Sequence, residues 1–80
     1  MYSLRYPPHV EAVWDSRPGD ARVEFDRALA AVCEDPFATT TPHQADGDIK
    51  RLLILDHTRA VLVVFKQPQR VRILDLKYLR

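Results

Sequence analysis

A single cysteine, Cys33, stands in the 80 residues, so no internal disulfide can brace the fold and a reducing cytoplasm is the expected location. The two glycines, Gly19 and Gly47, are too few for a glycine-rich phosphate loop, which removes nucleotide-driven chemistry from consideration. No apolar run is long enough for a signal peptide or a membrane span, so no membrane association is expected. The three histidines, His9, His43 and His57, fall in different segments without Cys-x-x-Cys, His-x-x-x-His or His-Glu-x-x-His spacing, so no metal site is expected. Asp46-Gly47-Asp48 lacks the remaining ligands of a calcium loop and reads as a turn. With so short a chain, about 60% of the unfolded surface can be buried, which means one domain with a small core.

Ordinary globular composition remains, with 46% apolar and 29% charged residues, enough to build a core. The net charge of +1 conceals a strong asymmetry: residues 1–48 carry a net −5 and residues 49–80 a net +6. Such polarity is expected where one face meets a polyanion and the other does not.

Periodicity gives the elements. Tyr2, Leu4 and Tyr6 alternate with Ser3 and Arg5 as in a half-buried edge strand, ended by Pro7-Pro8. Val10, Val13 and Trp14 recur at i, i+3 and i+4, which predicts a short helix over residues 9–15, ahead of a Pro18-Gly19 break. Phe25, Ala28, Leu29 and Val32 predict a longer helix over residues 20–34, with Asp20 as its N-cap, Cys33 beside its apolar stripe and Pro36 as its stop. Residues 36–48, with two prolines, a glycine and three consecutive threonines, read as a loop.

Three antiparallel strands are expected after it. Ile49, Leu53 and Leu55 alternate with Lys50, Leu52 and Ile54; Asp56-His57-Thr58 makes a turn; and the apolar run Ala60 to Phe65 is the buried centre of the sheet. Lys66-Gln67-Pro68-Gln69 turns the chain into a last strand from Val71 to Leu76. The fold class is therefore α+β, an N-terminal strand and helices packed on an antiparallel sheet, in a single domain spanning residues 1–80.

The cations of the last 32 residues crowd onto this sheet. Lys50 and Arg51 open one strand, Arg59 opens the next, and Arg70, Arg72, Lys77 and Arg80 belong to the third. Strands lie about 4.8 Å apart, so these charges repel unless a polyanion neutralises them. Lys50, Arg51, Arg59, Arg72 and Lys77 are expected to form one positive surface. Guanidinium groups suit bidentate phosphate contact, and Tyr78 adds a ring that can stack on a base.

The element order, the long helix ending in Asp35-Pro36, the hairpin in which Arg59 opens the strand Ala60-Val61-Leu62-Val63-Val64, and the closing strand Val71-Arg72-Ile73-Leu74-Asp75-Leu76 together resemble the RelE/ParE toxin superfamily of bacterial toxin–antitoxin systems. The resemblance implies a ribosome-dependent mRNA endoribonuclease that inhibits translation, with a cognate antitoxin protein and mRNA on the ribosome as partners and no cofactor. It also implies roles: charge stabilisation by Arg59 and Arg51, proton transfer by Lys77 or Tyr78, and RNA binding by Lys50, Arg72 and Arg80. The alternative is a non-catalytic member of the superfamily, a gyrase inhibitor or an inactive homologue, which the short tail after Tyr78 favours. A third reading is a small domain that pairs with another chain through an exposed sheet edge.

Overall fold

The computed structural model describes residues 1–16, 19–43 and 49–79. The expected break at Pro18, the turn over Asp46-Gly47-Asp48 and the RNA contact at Arg80 lie outside them. Elements run in the order β1 (Ser3–Arg5), α1 (Pro8–Asp15), α2 (Gly19–Glu34), α3 (Pro36–Thr39), β2 (Thr41–Pro42), β3 (Lys50–Ile54), β4 (Thr58–Lys66) and β5 (Gln69–Tyr78). They form one five-stranded sheet in the order β1-β5-β4-β3-β2. β2, β3, β4 and β5 pair antiparallel, while β1 lies parallel to β5.

The apolar strand expected at the centre is central, with β5 and β3 on its two sides. Its even positions, Ala60, Leu62 and Val64, are buried together with Leu53 on β3 and Val71, Ile73 and Leu76 on β5. Onto this surface α2 lays Phe25, Leu29 and Val32, the residues its period predicts, and α1 adds Val10. The two helices are joined by Trp14, whose Nε1 donates to Asp26 Oδ1 at 2.9 Å and whose ring meets those of Tyr6 and Phe25 edge-on. α2 starts one residue before the expected cap, which puts Asp20 inside the first turn, where a carboxylate suits the positive end of the helix dipole.

Two features depart from the expected three-strand meander. Residues 36–42 are ordered as α3 and β2 where a loop is expected, because Pro36 begins a helix as well as ending one. Asp35 caps that helix by accepting from the Ala38 N–H at 3.2 Å, and Thr39 Oγ1 donates to the Asp35 carbonyl at 2.8 Å. The chain then returns beside β3 and adds an edge strand, Thr41 opposite Leu52 and Pro42 opposite Arg51. No helix among the described residues is long and apolar enough to cross a membrane.

Candidate nucleic-acid interface

All helices lie on one side of the sheet, so the period of two along each strand sorts every strand residue into a helix-side or an open-side position. On the open side stand Lys50, Leu52 and Ile54 of β3, Arg59, Val61, Val63 and Phe65 of β4, Arg70, Arg72, Asp75 and Lys77 of β5, and Ser3 and Arg5 of β1. The register arranges them in cross-strand rows. Lys50 faces Val63, Val63 faces Arg72 and Arg72 faces Arg5, so one row carries three cations. Ile54, Arg59 and Lys77 form a second row. Facing residues on adjacent strands bring their Cβ atoms to about 4.5 to 5.5 Å, which places the Arg59 and Lys77 side chains side by side. Phe65, Arg70 and Ser3 form a third row, in which Arg70 Nε is buried without a hydrogen-bond acceptor among the described residues.

Four of the five residues expected on one positive surface, Lys50, Arg59, Arg72 and Lys77, are therefore together. Arg51 is not. Its odd position in β3 turns it to the helix side beside Leu62, where it is 9% exposed. There its Nε donates to Thr40 Oγ1 at 3.0 Å, and its Nη2 to the carbonyls of Phe37 at 3.1 Å and Thr40 at 2.9 Å. The guanidinium also lies over the Phe37 ring, 5.2 Å from its centroid, and Lys66 Nζ stands at the same distance. Arg51 thus fastens α3 and β2 to the sheet, a placement at odds with the expected positive surface. Tyr78 follows the same rule. It faces the buried Thr58, on the side opposite Lys77, so the two residues assigned to proton transfer point to different faces.

Arg5 and Arg70 also belong to the open face. Arg70 is expected among the sheet cations but carries no expected role, and Arg5 is outside the expected set although its alternation with Leu4 and Tyr6 signals it. The helix side has the opposite character. Its groove of about 480 Å³ between β1, α1 and α2 is lined by Tyr6, Trp14 and Leu29 and edged by Glu11, Asp15 and Asp26. Arg22 pairs there with Asp15 at 3.7 Å. The described residues contain no cluster of three His, Cys, Asp or Glu side chains able to hold a metal ion.

Comparison with known proteins identifies the fold. The isolated RelE toxin of E. coli matches with a TM-score of 0.83 over 100% of this chain and 86% of that one, at 17% sequence identity. The toxin–antitoxin complex RelBE2 from Mycobacterium tuberculosis matches with a TM-score of 0.80 over 96% of each chain, at 14% identity. No family model matches the sequence, and no curated protein matches it. The chain has the RelE-like toxin fold: helices on one side of a mostly antiparallel five-stranded sheet.

Proposed function

We propose that this protein is the toxin of a toxin–antitoxin pair and that it cleaves mRNA on the ribosome, thereby inhibiting translation. One observation carries the proposal: Arg59 and Lys77 stand side by side on the uncovered face of a RelE-like sheet, flanked by the Lys50–Arg72–Arg5 row. In the reaction the ribose 2′-hydroxyl gives its proton to water as its oxygen attacks the adjacent phosphorus, and the bond to the 5′-oxygen breaks, leaving a 2′,3′-cyclic phosphate. Negative charge grows on the non-bridging oxygens, where a preorganised guanidinium lowers the barrier. Arg59 supplies that charge, and Lys77 delivers the proton to the departing 5′-oxygen. Lys50, Arg72 and Arg5 hold the neighbouring phosphates, as expected of a polyanion-binding surface. Arg51 acts here through α3 rather than on the phosphate, and Tyr78 has no part in the proton transfer. The antitoxin partner is proposed on a separate ground, the likeness in fold to a toxin–antitoxin complex.

The competing reading is a binding module without catalysis, a gyrase inhibitor or an inactive homologue. It is favoured by the apolar side chains on the same face, of which Ile54 is 55% exposed, and by the separation of Tyr78 from Lys77. Purified protein added to ribosomes carrying a defined message decides between them. Cleavage that requires the ribosome supports the nuclease. Intact message in the presence of protein that inhibits gyrase or still binds its antitoxin replaces it with the binding module.

A further inference from the structure

A face built only to hold phosphates has no use for a carboxylate, yet Asp75 stands among its cations. A bulge puts it there. Pairing passes from Leu62 opposite Ile73 to Val61 opposite Asp75, so Leu74 is the extra residue and Asp75 takes the open-face position next to Val61. Leu52 continues that row on β3. Around it lies a hollow of about 230 Å³, with Leu52, Ile54 and Val61 in its lining and Arg59, Asp75 and Lys77 beside them. It is smaller than the roughly 300 to 1,000 Å³ of a pocket for a whole cofactor or drug-sized ligand, so it has room for one ring or one side chain.

The carboxylate is oriented and still has capacity to accept. Its Oδ1 receives the Leu76 N–H at 2.9 Å, which uses one of about four acceptor positions. Neither Arg59 nor Lys77 forms an ion pair with it, the ion pair among the described residues being Arg22–Asp15. A phosphate is a poor occupant of such a hollow, because Asp75 repels it and the aliphatic lining cannot solvate it. A nucleobase meets both demands: its ring lies on the aliphatic side chains and its N–H edge reaches the carboxylate. The phosphates on either side of that nucleotide fall to Arg59, Lys77 and the Lys50–Arg72–Arg5 row. Among the bases, guanine alone offers a carboxylate two adjacent donors, N1–H and the N2 amine.

We infer that Asp75 reads the Watson–Crick edge of a guanine whose ring covers Leu52, Ile54 and Val61, making it the specificity-determining residue of this face. The inference rests on the RNA-cleavage reading, since it supplies that site with a base preference. The direct test is fluorescence anisotropy at low salt with five-residue oligouridylates whose central base is guanine, inosine or adenine. The wild type should prefer guanine over adenine by about tenfold, the scale of one bidentate base contact, with inosine, which lacks the N2 amine, in between. Asp75→Asn should abolish the preference. Removing a negative charge raises affinity for every oligonucleotide, so the ratio is the readout. Asp75 is exposed and asparagine can still accept from Leu76, so the variant should fold. Ile54→Ala, a second variant, should weaken the guanine oligonucleotide more than plain oligouridylate.

Equal affinity for all central bases overturns the inference, and so does a guanine preference that survives in Asp75→Asn. A hollow that receives a protein side chain gives the first of these results. Ribosome-bound message separates this from the broader reading. Cleavage without guanine preference leaves the nuclease standing and removes the role of Asp75. Guanine-selective binding without cleavage does the reverse.

Discussion

The two faces of the β-sheet use the same residue type for opposite ends. Arg51 and Arg59 lie on neighbouring strands, Arg51 opposite Leu62 and Arg59 opposite Ile54. Arg51 is buried, gives its donors to Thr40 and Phe37, and ties the α3–β2 segment to the core. Arg59 is exposed and stands next to Lys77. The first is committed to the fold, whereas the second is the one that the proposed reaction assigns to the RNA phosphate. A count of positive charge treats the two alike. Only the face on which each side chain emerges distinguishes scaffold from site.

Substitutions that act on one face alone sharpen this contrast. The largest effect is expected on the helix side: Leu29→Ala, beneath the centre of α2, should cost about 2 to 5 kcal/mol of stability, a large share of what a domain this small possesses. Chemical denaturation measures it, and a loss below about 1 kcal/mol would mean that α2 is not seated on the sheet. On the open side, Arg59→Ala should leave the melting temperature unchanged and lower cleavage by about two to three orders of magnitude, the effect of deleting one preorganised charge-stabilising donor. An unfolded Arg59→Ala would make that arginine a second scaffold residue and dissolve the contrast. Arg51→Ala should show the converse, costing about 1 to 3 kcal/mol for the acceptors it strands while the salt dependence of RNA binding stays as it was.

Smaller effects refine the picture. Arg72→Ala should weaken binding to RNA of any sequence and reduce the slope of log affinity against log salt by about one, as loss of one phosphate contact does. An unchanged slope would take Arg72 out of the interface. The least effect belongs to Cys33 at the end of α2, whose thiol is pushed above its ordinary value of 9.0 by burial, with the Glu34 carboxylate adding to the shift. A raised value means that the folded protein holds the proton more tightly than the unfolded chain. Its contribution to stability is therefore intact at neutral pH and declines as pH climbs through the raised value. Alkylation at pH 9.0 should accordingly be slower than for a free thiol, and a faster rate would place Cys33 in an electropositive setting instead.

The fold was legible in the sequence wherever a period ran long enough to be read. Phe25, Ala28, Leu29 and Val32 mark the face of α2, and the Ala60–Phe65 run marks the central strand, because burial demands those patterns directly. α3 and β2 were not legible, since four helical and two extended residues carry no period. Asp35-Pro36 signals a stop and a start equally well. The candidate site was legible only in part. Charge polarity identified the strands that carry its cations, and alternation alone would have separated Arg51 from Lys50, as it separated Leu53 from Leu52. The position of Asp75 was beyond reach, because it depends on a bulge that neither Ile73 nor Leu74 announces.

Whether RNA meets the open face while the helix side serves as scaffold is decided by arginine side-chain NMR. The isotope-labelled protein is titrated with a short single-stranded oligoribonucleotide at low salt while the Nε–Hε signals are followed. The signals of Arg59 and Arg72 should move with increasing RNA, whereas that of Arg51, whose Nε–H is already given to Thr40 at 3.0 Å, should stay in place together with the amides of α2. Movement of the Arg51 and α2 signals with Arg59 and Arg72 unmoved would place the interface on the helix side and contradict the account.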